Sequence, residues 1–299
     1  MPRSRWPRGT PRQAIRKGHE VASSFPEHPA PGVPRRVLDY ATVLLAPNPG
    51  AMTLDGTNTW LVGDPASDER IVIDPGPSDA AHLRAVREQG RITGVLLTHH
   101  HPDHTEGAAE FAELTGAPVR ALDAELCADG AVSPAGFGAG PLDDGEVLEA
   151  AGVRLRVMAT PGHTADSLCL HAEHAGVTAL FSGDSILGRG TTVVAAEDGD
   201  LGSYLESLRA LSRLAENTWL LPGHGPEQPD ARAAAAHYLE HRRQRLDQVR
   251  AALGELGGHG EPGEVVDIVY ADVDPAVRPA AESTVRAQLR YLREVGELR

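Results

Sequence analysis

Leaving His100 aside, five histidines and two aspartates in this chain fall in four short stretches, and side chains of these types together bind metal cations. The densest stretch is Thr98-His99-His100-His101-Pro102-Asp103-His104, which follows directly on an apolar run. Alternate residues of an extended segment point the same way. His99 and His101 can therefore reach one cation, while Asp103 and His104, past the bend at Pro102, turn towards a second. Thr160-Pro161-Gly162-His163-Thr164, Phe181-Ser182-Gly183-Asp184-Ser185 and Leu221-Pro222-Gly223-His224-Gly225 repeat the logic, each placing a ligand type in a glycine-containing turn beside apolar residues. Glycine next to the ligand lets the backbone turn tightly and approach a cation. Imidazoles and carboxylates without a thiolate suit zinc first, with iron or manganese as alternatives.

The elements that must position these residues are short strands. Ile92-Thr93-Gly94-Val95-Leu96-Leu97 reads as a buried strand with the histidines in the loop at its C-terminal end. Before it, Val43-Leu44-Leu45, Thr59-Trp60-Leu61-Val62 and Ile71-Val72-Ile73-Asp74 are split by turn residues and read as a meander. Ser78 and Asp79 are cap residues for a helix carrying Leu83 and Val86. After the histidines the pattern predicts a helix from Thr105 to Leu114 and a loop over 128–145. Strands follow at Val153 to Met158, Ser167 to His171 and Val177 to Phe181. Leu201, Tyr204, Leu205, Leu208, Leu211 and Leu214 form the stripe of an amphipathic helix, and Trp219-Leu220-Leu221 is a last strand. From Ala231 onward the chain reads as helical, with apolar faces that need the main domain to pack against.

Composition sets the outer limits. With 41% apolar residues in 299, the chain can bury a large core. It lacks the ~20-residue apolar run of a membrane span and the ~7–15-residue core of a secretory signal, so the expectation is a cytoplasmic protein with no membrane partner. Cys127 and Cys169 stand in separate segments and read as core residues, not as a disulfide or a thiolate site. Residues 1–36 carry eight basic residues against Glu20 and Glu27, and they read as a disordered basic tail. Such a tail also fits a transit peptide to the mitochondrial matrix, but Pro2, Pro7 and Pro11 interrupt the helix that a transit peptide needs. The net charge is −14 despite that tail, so the body is strongly acidic and disfavours nonspecific binding to nucleic acid.

The set His99, His101, Asp103, His104, His163, Asp184 and His224 resembles the HxHxDH signature and following ligands of the metallo-β-lactamase superfamily, in the family's order. The resemblance covers about residues 38 to 230. It implies an α/β fold, an αββα sandwich with the site at one edge between two sheets. It further implies that His99, His101 and His163 hold one metal, that Asp103, His104 and His224 hold the second, and that Asp184 bridges them. His100 would point away. Two cations roughly 3.5–4 Å apart can share a water and bring its pKa from ~15.7 towards ~7, which gives a bridging hydroxide nucleophile. Asp103 is then the candidate catalytic residue that orients this hydroxide and shuttles its proton. Asp74 is the candidate support that orients a ligand.

Within the superfamily, the commonest zinc β-lactamases carry a cysteine where Asp184 stands. Flavodiiron proteins carry a glutamate where His101 stands, and β-CASP nucleases carry a long insertion where only 40 residues separate Asp184 from His224. The runs Asn48 to Gly63 and Ser182 to Val193 resemble the β-lactamase-like protein 2 branch, which includes single-strand endoribonucleases and thioesterases acting on carrier-bound acyl chains. Its members end in a small winged-helix-like domain. The expected organisation is therefore a basic tail over 1–36, a catalytic domain over 37–230 and a helical, winged-helix-like subdomain over 231–299, with the chain stopping at Arg299 before a full wing. The expected activity is hydrolysis of a small ester, thioester or lactone, with a small molecule or acyl carrier as partner and two zinc ions per chain. The alternative is a metal-dependent endoribonuclease that cleaves single-stranded RNA, suggested by Arg242, Arg243, Arg245 and Arg250 on one helix. Asn58, Thr191 and Thr192 are the expected substrate contacts.

Overall fold

The computed structural model describes residues 30–131, 134–271 and 277–298. Most of the expected tail, residues 1–29, lies outside the described residues. Its last two residues do not behave as tail. Strand β1 (Arg35–Leu38) begins at Arg35, whose guanidinium donates to both oxygens of Glu227 at 2.8 and 2.5 Å. The charge that marks the tail in the sequence here ties the first strand to a loop on the opposite sheet.

Two sheets face each other. The first runs in chain order: β1, β2 (Ala41–Leu45), β3 (Asn58–Val62), β4 (Glu69–Ile73), β5 (Arg91–Leu96) and β6 (Val119–Arg120). Its pairing is antiparallel up to β4 and parallel through β4, β5 and β6. The second consists of β7 (Val147–Ala150), β8 (Val153–Ala159), β9 (Leu168–His174), β10 (Val177–Gly183) and β11 (Trp219–Pro222), in the order β11-β10-β9-β8-β7. Only β10 and β11 are parallel in that sheet.

Strands β3 and β4 are buried on both faces because each face meets a different layer. Trp60, Ile71 and Ile73 point between the sheets and meet Leu155, Val157, Leu170 and Phe181. The Trp60 and Phe181 rings pack edge to face with centroids 5.6 Å apart. Leu61 and Val72, one residue out of phase, point outward to Leu83 and Val86 of α1 (Ala80–Arg87) and Phe111 of α3 (Ala108–Thr115). On the far side, Leu180 and Leu220 meet Tyr204 and Leu208 of α4 (Leu201–Leu211) and Tyr238 and Leu239 of α5 (Ala231–Glu255). The result is helix, sheet, sheet, helix. Each fully buried Leu, Val or Phe in these layers contributes about 1.5–3 kcal/mol.

The expected helix from Thr105 to Leu114 is divided into α2 (Pro102–Thr105) and α3. Between them the Gly107 N–H leaves the helical ladder and donates to the Gly76 carbonyl at 2.9 Å. The C-terminal helices pack on the main domain. Helix α5 completes the layer begun by α4, and Val265, Val266, Val285 and Leu289 from α6 (Pro262–Val269) and α7 (Arg278–Glu294) extend the same core. The boundary at 230 divides the chain but not the core. Among the described residues no helix is long and apolar enough to cross a membrane.

Candidate metal centre

Five strands end at one edge of the sandwich, and each delivers a polar side chain there. Asp74 follows β4, the histidine stretch follows β5, His163 follows β8, Asp184 follows β10 and His224 follows β11. The sheet edges are stitched where they meet. The Leu168 N–H donates to the Thr98 carbonyl at 2.9 Å, the Asn58 N–H to the Gly223 carbonyl at 2.7 Å, and the Trp60 indole to the Pro222 carbonyl at 3.0 Å. Gly223 is fixed by contact: a Cβ there would lie 2.8 Å from both Asp184 Oδ1 and the His104 ring. The turn at Gly162 has φ +138°, and a Cβ there would lie 2.3 Å from the Tyr204 backbone.

The outer nitrogen of every candidate ligand histidine has an assigned partner. His104 Nδ1–H donates to Asp74 Oδ2 at 2.8 Å, His224 Nδ1–H to the Gly56 carbonyl at 3.0 Å, and His163 Nδ1–H to the Val193 carbonyl at 2.8 Å. His101 is reversed, with Nε2–H donating to Asp198 Oδ2 at 2.8 Å. His99 Nδ1–H donates to Thr98 Oγ1 at 3.0 Å, whose own hydrogen goes to Asp74 at 2.7 Å. In the neutral rings these partners leave the inner nitrogens with lone pairs.

Those lone pairs converge. His101 Nδ1 lies 3.1 Å from both His99 Nε2 and His163 Nε2, and His104 Nε2 lies 3.2 Å from His224 Nε2. Neutral lone-pair nitrogens this close repel. They are, however, near the edge length of about 3.3–3.4 Å in a tetrahedron with metal–nitrogen arms of ~2.0–2.1 Å. Asp103 Oδ2 is 3.1 Å from His224 Nε2 and 3.5 Å from His104 Nε2. Asp184 spans the two groups, with Oδ1 3.5 Å from both His104 and His224 and Oδ2 3.7 Å from His163. Asp184 Oδ1 is also buried with no hydrogen-bond partner, as expected of an atom that serves a cation. The donor set thus fits metal, and the sets His99–His101–His163 and Asp103–His104–His224 each bring donor atoms within 4.8 Å of one another.

Electrostatics agree with that reading. Burial pushes His99 well below its usual pKa, reinforced by the neighbouring histidines, and burial also lowers His163. Burial opposes charge on His104 too, but Asp184, Asp74 and Asp103 outweigh it and lift its pKa to about 10. His224 is raised for the same reason, against burial, by Asp184 and Asp103. Burial would raise the two aspartates, yet His224 and His104 hold Asp103 well below and Asp184 below the ordinary carboxylate range. The site draws positive charge to its Asp103–His104–His224 corner.

Not every predicted residue faces this centre. Asn58, expected to contact substrate, is buried and donates to the Pro222 and Gly225 carbonyls at 3.0 and 2.8 Å, so it shapes the His224 loop. Thr192, also expected to contact substrate, is buried and donates to the Asp184 carbonyl at 2.7 Å. Thr191 lines a cavity of about 170 Å³ against the C-terminal helices. Loop position places a residue near the centre without saying which way it turns. The His100 side chain, 40% exposed, donates to Asp166 Oδ1 at 2.7 Å. The arginines of α5 do not form one basic face. Arg242 is buried against the Tyr204 ring, Arg245 lies over Tyr270, Arg250 is paired with Glu297 and Asp247, and Arg243 is exposed. Asp198 escaped the sequence reading because it stands in an acidic turn with no motif around it.

A sandwich of this layering with a histidine and aspartate cluster at one edge defines a metallo-hydrolase class, and comparison makes the assignment specific. Residues 52–224 match the family model of the metallo-beta-lactamase superfamily, and residues 262–297 match that of the beta-lactamase associated winged helix domain. The chain is 35% identical over 271 residues to a beta-lactamase-like protein 2 homolog of Caenorhabditis elegans, covering 86% of this chain and 85% of that protein. It is 31% identical over 269 residues to the atrochrysone carboxyl ACP thioesterase AgnL7 of Paecilomyces divaricatus, covering 85% and 80%. The crystal structure of a beta-lactamase domain protein from Burkholderia ambifaria superposes with a TM-score of 0.72 at 26% identity, over 91% of this chain and 93% of that one. The chain belongs to the metallo-beta-lactamase superfamily, as a hydrolase with the αββα fold and a C-terminal winged-helix segment.

Proposed function

We propose that this protein is a dinuclear metal-dependent hydrolase, zinc being the first candidate metal, that acts on a small ester, thioester or lactone. The observation that supports it is the convergence of five imidazole lone pairs and two carboxylates into two sets joined by Asp184. When bound, two such cations lower the pKa of a shared water and polarise the scissile carbonyl. The protein's own groups do the rest. His99, His101 and His163 would hold one ion and Asp103, His104 and His224 the other. Asp74, Asp198 and the carbonyls of Gly56 and Val193 fix the imidazole tautomers, as partners behind metal ligands do. Asp103 is the proton carrier. Its side chain is 28% exposed against 11% for Asp184, so of the two carboxylates it is the one open to a substrate and its leaving group.

Substrate class is supported by charge. Around the cluster stand Asp166 and Asp198, the body is acidic, and of the α5 arginines Arg242 is buried, Arg245 lies over Tyr270 and Arg250 is paired, with Arg243 exposed. A polyanionic strand gains its affinity by phosphate neutralisation, and this rim offers little of it. A neutral acyl group needs none, and relatives are named as acyl carrier protein thioesterases. The test is a parallel assay of the metal-loaded protein on acyl thioesters and on labelled single-stranded RNA, each with a chelator control. Chelator-sensitive thioester turnover is expected. RNA cleavage without thioester turnover would overturn the substrate class.

A further inference from the structure

Residues 191–200 form a strap between the metal centre and the C-terminal helices, and each side of it is bonded. On the inner side Thr192 Oγ1 donates to the Asp184 carbonyl, the Val193 carbonyl accepts from His163, and Asp198 accepts from His101. On the outer side Arg242 of α5 donates to the Thr192 carbonyl. From α7, Arg290 donates to the Ala196 carbonyl at 3.0 Å and the Gly199 carbonyl at 2.5 Å. Ser283 accepts from the Ala196 N–H at 2.9 Å, and Arg286 donates to Glu197 at 2.7 Å. Asp198, the acceptor for His101, thus sits between carbonyls that Arg290 holds.

The other half of the centre is supported differently. His104 is oriented by Asp74 at the end of β4, and His224 by the carbonyl of Gly56 just before β3. Both supports belong to the first sheet. We infer that α7 is a positioning element for the His99–His101–His163 site, with Arg290 acting through the strap and Asp198 on His101, whereas α5 reaches Asp184, which joins the two sites, through Thr192. The inference rests on the two-site reading above. It makes the winged-helix segment part of one metal site as well as an appended module.

The two sites can be separated by measuring zinc affinity against a chromophoric chelator in two parent variants. His224→Ala keeps the His99–His101–His163 set, and His163→Ala keeps the Asp103–His104–His224 set. Adding Arg290→Gln to the first is expected to weaken zinc binding roughly 10- to 100-fold, and adding it to the second to change binding by no more than about two-fold. Asp198→Asn, which leaves the α7 contacts in place, should show the same selectivity, and Arg290→Lys should restore part of the loss. Arg290 is 39% exposed, so its replacement is compatible with folding, which circular dichroism checks. Equal weakening of both sites, or no weakening of either by Arg290→Gln, would overturn the inference. A wild-type content below two zinc ions would instead overturn the two-site reading, and the inference with it.

Discussion

At His101 both ring nitrogens are used: Nδ1 faces His99 and His163 while Nε2–H is held by Asp198. An imidazole aimed this way contributes little to core packing, and its side chain is 31% exposed. His101→Ala should therefore abolish nearly all hydrolysis while the protein stays folded, and Asp184→Ala should do the same. Activity within a few-fold of wild type under metal-controlled conditions would refute the ligand assignment. Asp74 is a different kind of residue, buried, with φ +53°, accepting from His104, from the Thr98 N–H and from the Thr98 hydroxyl. Asparagine tolerates that left-handed conformation. Asp74→Asn should fold and yet weaken zinc at the Asp103–His104–His224 site by roughly 10- to 100-fold, read by chelator competition. The candidate ligand types and their spacing were legible from sequence because metal chemistry restricts both. Asp198 and the Val193 carbonyl were not, since a lone acceptor in a turn carries no pattern.

The elements share one design, in which strands end at a common edge and the following loop carries the chemistry. The strands with continuous apolar runs, β3, β4 and β5, could be read directly because their two faces meet different layers. Strands β1, β6 and β7 could not. They span two to four residues, and β7 alternates exposed and buried positions too briefly for a period to stand out. Loop direction was the other failure, as Asn58 and Thr192 show by pointing into the protein's own backbone. At this scale Gly223→Ala is the sharpest test. The added methyl would press on Asp184 and His104 2.8 Å away, so metal content and turnover should fall while the β11 core contacts persist. Unchanged metal content would mean that the loop yields without moving either ligand. Removing the α1 cap with Asp79→Ala should cost about 1 kcal/mol in urea unfolding and leave turnover intact, because the carboxylate accepts from the Ala81 and His82 N–H groups of α1 and not from a candidate ligand.

Over the whole molecule, charge and burial act together. The sandwich buries a cluster of histidines that burial alone would keep neutral, and the acidic groups around His104 reverse that locally. Its pKa in the folded, metal-free protein is raised from 6.5 to about 10. A raised pKa means that the proton stabilises the fold fully below the unfolded-state value and that this contribution is lost as pH rises towards about 10. The urea midpoint of chelator-treated protein should therefore fall from neutral to alkaline pH. A metal ion on His104 Nε2 would displace that proton, so zinc binding should tighten with rising pH and release about one proton, measurable by calorimetry in buffers of different ionisation enthalpy. A midpoint that rises across this range would contradict the assignment of positive charge to this corner.

Seven side chains from four loops are proposed to form two metal sites. Elemental analysis of the purified, zinc-saturated protein tests this most directly. About two ions per chain are expected for wild type, falling to about one in His163→Ala and in His224→Ala as each removes a ligand from a different tetrahedral set. A wild-type value near one, unchanged by either substitution, would contradict the two sites.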